Sequence, residues 1–255
     1  MVGIVLITGA AGNLGGKLRR HLEGRRDLRL LDLDPRGDRE IVAADLARWE
    51  ERWVALFRGV EVVVHLAADA TAQQAWPNAL GPNIDGTIHA YEAAAHSGVK
   101  RVVFASSNHV MGGYQERAEP ARITADLPPL PGTRYVVDGE RRDSTPYAAS
   151  KLLGERLGKC YAESRGIETV ALRIGWVRPG TNRAADVPLE RGPWFRLMWL
   201  SNRDFCQLME RAIDAPLPAP FAVVNGMSAN TGMRWDIDYT RALIGYAPED
   251  DVTRS

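Results

Sequence analysis

The sequence predicts an α/β protein built on one doubly wound parallel sheet, with a small lobe formed by its C-terminal part. Short apolar runs alternate with segments of helical periodicity, without internal repeats, as in parallel strands joined by helices. A glycine-rich turn directly follows the first apolar run. The 255 residues, 45% of them hydrophobic, suffice for one large core and a small appended lobe.

The first predicted strand, residues 4–7, leads into a glycine-rich turn at residues 8–15 that opens a helix. Gly9 allows a tight exit from the strand, and Gly12 lets backbone N–H groups approach a phosphate. Gly15 lets the helix pack closely on the sheet. This turn therefore predicts a pyrophosphate site of the Rossmann type.

The second predicted strand, residues 28–31, ends at Asp32. A carboxylate at this place accepts hydrogen bonds from an adenosine ribose and repels a 2′-phosphate, so NAD is favoured over NADP. Two observations leave alternatives open. Asp32 could be a turn residue beside Asp34, and Arg36 and Arg39 lie close enough in the chain to accommodate NADP.

The third and fourth strands are predicted at residues 41–44 and 60–66, with a helix at 49–57 between them. The fourth is an almost continuous valine-rich run, typical of a strand buried on both faces. A polar and an apolar residue after the third strand could bracket an adenine ring, and small residues after the fourth let the backbone run close to a cofactor. These residues are Asp45, Leu46, Ala67 and Ala68.

A fifth strand is predicted at residues 101–105, after a helix at 83–97 that Gly98 ends. Four polar residues, 106–109, follow this strand. Ligands bind at the carboxyl ends of strands in open α/β sheets, so these residues are candidates for a site, although they could also form only a turn.

A tyrosine and a lysine four residues apart open the next predicted helix. Ser144 or Thr145 can cap this helix and Pro146 suits its first turn, which places Tyr147 and Lys151 on one face. An ammonium group beside a phenol favours the phenolate. We therefore expect Lys151 to lower the pKa of Tyr147 so that it can exchange a proton with a substrate hydroxyl or carbonyl.

The balance of charge argues against a nucleic-acid or membrane partner, because 32 basic residues face 32 acidic ones. The two cysteines have no metal-ligand spacing, and we expect no metal site. The apolar N-terminal run is too short for a secretory signal, and no stretch is long enough to span a bilayer. We expect a cytoplasmic enzyme.

These motifs resemble those of the extended short-chain dehydrogenase/reductase superfamily, also called the NAD-dependent epimerase/dehydratase family, over about the first 175 residues. Residues 104–110 are similar to a narrower group, the NAD-dependent uronate dehydrogenases and relatives that oxidise sugars or sugar phosphates at the anomeric carbon. The segments that carry the resemblance are residues 8–15, Asp45-Leu46, Asn83, Ser107, Tyr147 with Lys151, and residues 173–175, 199–205 and 223–230.

The resemblance implies an NAD-dependent oxidoreductase that forms a lactone by a Ser–Tyr–Lys mechanism. Ser107 would hold the anomeric oxygen, Tyr147 would take its proton, and Lys151 would bind the nicotinamide ribose. Asn108 and His109 would contact further sugar hydroxyls. It also implies an NAD-binding Rossmann domain over residues 1–173 and a partly interleaved substrate-binding lobe over 174–255. The other positions assigned to the cofactor are Asn13, Leu14, Leu66, Asn83 and Ile174.

The sequence departs from the uronate dehydrogenase pattern around the expected sugar. Ala70 and Trp176 stand where that group has serines, and its carboxylate-binding arginine is replaced by a tryptophan. We expect Arg191 or Arg196 to bind an anionic group instead, because a guanidinium pairs with carboxylate or phosphate bidentately. The alternative is that both are solvated loop residues. Similarly, Trp176 and its aromatic neighbours could form a wall of the sugar site or pack the small lobe.

Two other functions share these motifs. An epimerase or dehydratase of nucleotide sugars would keep the tyrosine and lysine but needs a larger C-terminal domain than the residues here provide. A non-catalytic NAD(P)-sensing protein would tend to lose one of the two. We also expect that residues 85–97 and 147–162 could pair with their copies in a homodimer or higher homo-oligomer.

Overall fold

The computed structural model describes residues 3–137 and 139–254. The strands are β1 (Ile4–Thr8), β2 (Leu28–Asp32), β3 (Ile41–Ala43), β4 (Val60–His65), β5 (Arg101–Ser107), β6 (Arg134–Val137), β7 (Glu140–Asp143), β8 (Glu168–Ile174) and β9 (Phe221–Gly226). The helices are α1 (Asn13–Leu22), α2 (Glu51–Val54), α3 (Trp76–Ala79), α4 (Gly86–His96), α5 (Thr145–Arg165), α6 (Gly192–Leu197), α7 (Asn202–Asp214) and α8 (Asp238–Ile244).

Within the described residues, seven strands form one sheet in the order β3-β2-β1-β4-β5-β8-β9. Every neighbouring pair in this sheet is parallel. The chain winds outward from β1 in one direction and then from β4 in the other, so the strand order reverses between these two strands. Ligands bind at such a reversal in open α/β sheets. The predicted doubly wound Rossmann fold is confirmed.

The sheet is buried on both faces, which explains its almost continuous apolar strands. Along β1, Val5 and Ile7 pack on one side with α1 and α7, whereas Leu6 packs on the other with the buried aromatic residues Trp53 and Phe57. Successive side chains of a strand point to opposite faces, so both sets must be apolar.

Several local predictions need correction. The predicted helix at 49–57 is a single turn, α2, followed by a 3₁₀ turn at Ala55–Phe57. The segment before residue 83 contains α3 and a π-helical turn, Leu80–Asp85, so α4 begins only at Gly86. Ser144 precedes α5, but its side chain does not cap the helix.

The C-terminal part does not form a separate layer. Strand β9 extends the sheet beyond β8, and α7 packs against α1. Residues 174–254 therefore contribute both to the sheet and to the lining of the cleft described below. A further element that the sequence did not predict is the antiparallel hairpin β6–β7, inserted before α5. Across the described ranges, no helix has the length and apolar character needed to cross a membrane.

Candidate active site

A cleft of about 880 Å³ lies along the carboxyl ends of the strands. This volume is in the upper part of the range for small-molecule sites, roughly 300–1,000 Å³. Most of the predicted site residues line it: Gly9, Gly12, Asn13, Leu14, Gly15, Asp32, Asp45, Leu46, Leu66, Ala67, Ala68, Ala70, Ser107, Asn108, His109, Tyr147, Lys151, Ile174, Trp176 and Arg191. Two do not, Asn83 and Arg196.

The glycine-rich turn passes directly from β1 into α1, and two of its glycines are required by close contacts. Gly9 has φ +71°, and a Cβ there would lie 2.8 Å from the amide nitrogen of Ala67. A Cβ on Gly15 would lie 2.0 Å from the carbonyl oxygen of Gly9. The first N–H groups of α1 have no partner within the helix and carry its positive dipole end. This helix start, preceded by Gly12 and without a side-chain cap, fits a pyrophosphate group.

Asn13 holds the turn against the C-terminal part of the chain. Its side-chain amide donates to the carbonyl oxygen of Val177 at 2.9 Å, and its Oδ1 accepts from the Lys17 ammonium at 2.6 Å. The Lys17 ammonium also donates to the carbonyl of Arg178 at 3.0 Å. The Asn13 side chain thus joins two walls of the cleft, while its backbone stays at the start of α1.

Asp32 lies at the end of β2, where the carboxylate borders the cleft together with Asp45, Leu46 and Arg36. One carboxylate oxygen accepts the backbone N–H of Ala11 at 2.8 Å. Asp32 therefore ties the glycine turn to the second strand and presents an acceptor at this end of the cleft.

Asn83 has a supporting position rather than a place in the cleft. It is buried, and its side chain accepts from the backbone N–H of Asp69 at 2.7 Å and donates to the carbonyl of the same residue at 3.0 Å. It also donates to the Ser150 hydroxyl at 3.3 Å. Asn83 therefore fixes the loop after β4, which contains Ala70, against α5.

Ser107, Tyr147 and Lys151 come together on one wall of the cleft. Ser107 ends β5, and the other two lie one turn apart on α5. The Lys151 ammonium lies 5.8 Å from the centre of the Tyr147 ring and 5.3 Å from that of Phe104. All three predicted catalytic residues are buried, so water has little access to the groups that would react.

Burial dominates the proton affinities of this wall. It raises the pKa of Tyr147, while the Ser107 hydroxyl opposes this rise and the Asp69 carboxylate adds to it. Burial also lowers the pKa of Lys151 to about 8. The expectation that Lys151 lowers the pKa of Tyr147 is therefore not met in this structure, because the loss of solvation outweighs the hydrogen bond that favours the phenolate.

Asn108 and His109 lie in the 3₁₀ segment after β5. The Asn108 amide donates to the carbonyl of Ile174 at 3.1 Å, and its buried Oδ1 has no partner among the described residues. The His109 ring stands edge-on to Tyr147, with centroids 5.6 Å apart, and burial lowers its pKa to about 4. His109 is therefore neutral at pH 7.

An aromatic wall continues outward from His109, and the sequence reading missed its central member. Tyr135 of β6 stacks on His109 with centroids 6.0 Å apart and packs on Phe195 at 5.1 Å. The Phe195 ring in turn lies edge-on to the Trp176 ring, with centroids 6.5 Å apart. The signal in the sequence that could have indicated this strand is the run Tyr135-Val136-Val137, because aromatic and β-branched residues are enriched in strands. Of the other aromatic residues near Trp176, Trp199 is buried in packing and Trp194 packs on Trp235.

The two candidate arginines differ in their position relative to the cleft. Arg191 borders the cleft at the start of α6. Arg196, in contrast, donates to the carbonyl of Val252 at 3.2 Å near the end of the chain and lies outside the cleft lining. Trp76 begins α3, is 47% exposed and also lies outside the cleft lining.

The fold and the glycine turn agree with a comparison against known families. The model of the NAD dependent epimerase/dehydratase family matches residues 5–178. The chain belongs to this family. Its cofactor is NAD, which fits the cradle formed by the glycine turn and the acceptor at Asp32.

Three curated relatives are each 36% identical to the chain. They are an L-arabinose 1-dehydrogenase (NAD(P)(+)) of Haloferax volcanii, over 97% of this chain and 96% of the relative, and an NAD-dependent glucose-6-phosphate dehydrogenase of the same organism, over 97% and 93%. The third is a uronate dehydrogenase of Pseudomonas putida, over 96% and 84%.

A solved structure agrees with this family over nearly the whole chain. It is a mutant of uronate dehydrogenase from Agrobacterium tumefaciens complexed with NAD, with a TM-score of 0.78 and 32% identity, covering 99% of this chain and 87% of that one. The predictions of the family, the fold, NAD as the cofactor and an NAD-dependent dehydrogenase are confirmed.

Proposed function

We propose that this dehydrogenase oxidises a sugar, sugar acid or sugar phosphate at its anomeric carbon and releases a lactone. The observation that carries the proposal is the convergence of Ser107, Tyr147 and Lys151 on one wall of the cleft that begins at the glycine turn. A phenol, an ammonium and a hydroxyl beside a nicotinamide site are the groups needed to remove a proton from a hydroxyl while its carbon is oxidised.

Tyr147 is the general base of this proposal. As phenolate, it takes the proton of the anomeric hydroxyl, and the Ser107 hydroxyl holds the same oxygen by a hydrogen bond. NAD, when bound, would supply the acceptor for the hydride of the anomeric carbon. The carbon–oxygen bond then becomes the carbonyl of a lactone, and no further group of the protein is needed.

Lys151 sets the charge beside this phenol. At pH 7 a lysine whose pKa is about 8 remains mostly protonated, so a cation stands near the Tyr147 ring. A cation favours the phenolate over the neutral phenol, which opposes the effect of burial. A ribose hydroxyl of the cofactor is the expected partner of the Lys151 ammonium.

Sugar hydroxyls are assigned to Asn108 and His109. The Asn108 Oδ1 is a buried acceptor without a partner in the described chain, and a buried carbonyl of this kind is costly unless a donor reaches it. A sugar hydroxyl is such a donor. Ala70 and Trp176 also line the cleft, and neither side chain would supply the hydrogen bond of the serine expected at its position.

Arg191 is assigned to an anionic group of the substrate. The three relatives at equal identity are named for a neutral pentose, a sugar phosphate and a sugar acid, so identity alone does not select among these substrates. A guanidinium at the cleft border favours the two charged classes, since it pairs bidentately with phosphate or carboxylate.

A panel of uronates, aldose phosphates and neutral aldoses with NAD tests the proposal. We expect NADH absorbance to rise with at least one sugar, and NMR of the early product to identify a lactone. Replacing Arg191 with Gln should raise KM for a charged sugar and leave KM for a neutral one almost unchanged. If none of the sugars in the panel gives NADH, the result would argue for an epimerase or dehydratase reaction instead.

A further inference from the structure

The hairpin β6–β7 is fixed at its base to the segment that carries His109. The backbone N–H of Thr133 donates to the Ser144 hydroxyl at 2.8 Å, and the N–H of Arg134 donates to the Gln115 side chain at 2.8 Å. Gln115 directly follows the 3₁₀ segment Asn108–Tyr114. The hairpin therefore holds a defined register beside the sugar-binding part of the cleft.

Alternation along β6 turns one aromatic side chain into the cleft. Tyr135 is 8% exposed and lines the cleft, whereas the next residue, Val136, is 73% exposed. Successive side chains of a strand point to opposite faces, so a cleft-facing Tyr135 requires an outward-facing Val136. The two residues form a natural pair of test and control positions.

The Tyr135 hydroxyl forms a hydrogen bond with the ring of His109. The phenol oxygen lies 3.2 Å from Nε2, while the Ser144 hydroxyl lies 3.0 Å from Nδ1. Both ring nitrogens of this buried, neutral histidine are thus partnered by residues at the two ends of the hairpin. The Tyr135 ring stacks on the His109 ring, which also makes the edge contact with Tyr147.

The Tyr135 phenol stays protonated, because burial and the nearby Tyr147 raise its pKa while the Arg191 guanidinium only partly opposes them. A neutral phenol donates one hydrogen bond and accepts others. After its contact with His109 it retains the capacity to bind one more polar group.

We propose that Tyr135 determines the specificity of the sugar site. Its hydroxyl binds a substrate hydroxyl on the part of the sugar away from the nicotinamide, and its ring limits how far the substrate can extend beyond His109. This inference rests on the proposed function, because it concerns the same sugar. The hairpin has no part in the proposed oxidation itself. Its role in this inference is to select monosaccharides over longer sugars.

Three variants test this assignment: Tyr135→Phe, Tyr135→Ala and the control Val136→Ala. The readouts are kcat and KM for the best sugar of the panel, the Kd for NAD, and the ratio of kcat/KM for a disaccharide with the same reducing end to that for the monosaccharide. For Tyr135→Phe we expect KM for the sugar to rise about tenfold, with kcat and NAD binding almost unchanged, because one buried hydrogen bond is lost.

For Tyr135→Ala we expect the disaccharide ratio to rise at least about tenfold, since about one aromatic side chain of space is opened. Tyr135→Phe should retain the wild-type ratio because its ring is the same, and Val136→Ala should match the wild type in every readout. If Tyr135→Ala does not fold, the rise in KM of Tyr135→Phe decides the question.

Unchanged sugar KM in Tyr135→Phe, or an equal response of Val136→Ala, would overturn the role of Tyr135 while leaving the sugar oxidation intact. If the wild-type protein oxidises no sugar, the proposed function fails and the assignment of Tyr135 fails with it.

Discussion

Glu155 on α5 and Arg173 on β8 form a buried bidentate ion pair, with Nε to Oε1 and Nη2 to Oε2 both at 2.9 Å. Each side chain is 3% exposed. The Ser106 hydroxyl donates to the same carboxylate at 2.6 Å. Since Ser106 precedes Ser107 and Glu155 lies one turn after Lys151, this pair joins the strand end and the helix that carry the proposed catalytic groups.

Replacing Glu155 with Gln leaves the Arg173 charge buried without its partner. Such a loss costs about 3–5 kcal/mol, so we expect the free energy of unfolding in denaturant to fall by that amount. The matched control is Glu163→Gln on the same helix, whose exposed pair with Lys159 should be worth less than about 1 kcal/mol. If Glu155→Gln lowers the free energy of unfolding no more than Glu163→Gln does, the buried pair stabilises the fold no more than the exposed one.

Replacing Tyr147 with Phe removes the proposed general base and keeps the ring that packs in the wall. We expect turnover to fall at least roughly a hundredfold, while the Kd for NAD measured by fluorescence titration stays near the wild-type value. Tyr161→Phe, on the same helix but outside the cleft lining, should keep normal turnover. Near-normal turnover in Tyr147→Phe would remove this residue from the mechanism.

Replacing Asp32 with Ser should shift the cofactor preference toward NADP. The change removes a carboxylate that repels the 2′-phosphate and leaves Arg36 at the same end of the cleft. We expect the ratio of kcat/KM for NADP to that for NAD to rise at least about tenfold, since like charges in close contact cost several kcal/mol. Asp27→Ser, just before the opposite end of β2, is the control. An unchanged ratio in Asp32→Ser would show that the ribose is recognised elsewhere.

Stability should decrease below pH 6.5 because of buried neutral histidines. Burial lowers the pKa of His65 to about 3, against an ordinary value near 6.5, and its ring nitrogens lie 2.8 Å from the Thr8 hydroxyl and 3.3 Å from that of Thr87. The unfolded chain binds a proton at this site that the folded chain does not, so stability present above pH 6.5 is lost as pH falls toward 3.

Between pH 7 and pH 5, His65 should lower the free energy of unfolding by about 2 kcal/mol. Denaturant unfolding at these two values should therefore show a smaller loss for His65→Gln than for the wild type, whereas the exposed His96→Gln should follow the wild type. A pH dependence that is the same for His65→Gln and the wild type would contradict a buried neutral His65.

The helices and strands that line the first part of the cleft could be predicted because their signals are local. The turn after β1 needs glycine where a Cβ would meet backbone, and a tyrosine and a lysine four residues apart on a helix must share a face. Long apolar runs such as that of β4 predicted a sheet buried on both faces. The short helices near residues 49–57 and 76–85 were less predictable, since a single turn has too few residues for a clear period.

The sequence by itself determined the sheet, the glycine turn and the pairing of Tyr147 with Lys151, because each depends on neighbours within one turn or one strand. Only the tertiary structure decided that Tyr135 meets His109, that Arg191 rather than Arg196 borders the cleft, and that Asn83 stands behind the loop after β4. It also decided that burial raises the pKa of Tyr147. These outcomes depend on packing between segments far apart in the chain and on the loss of water around them, which local periodicity does not encode.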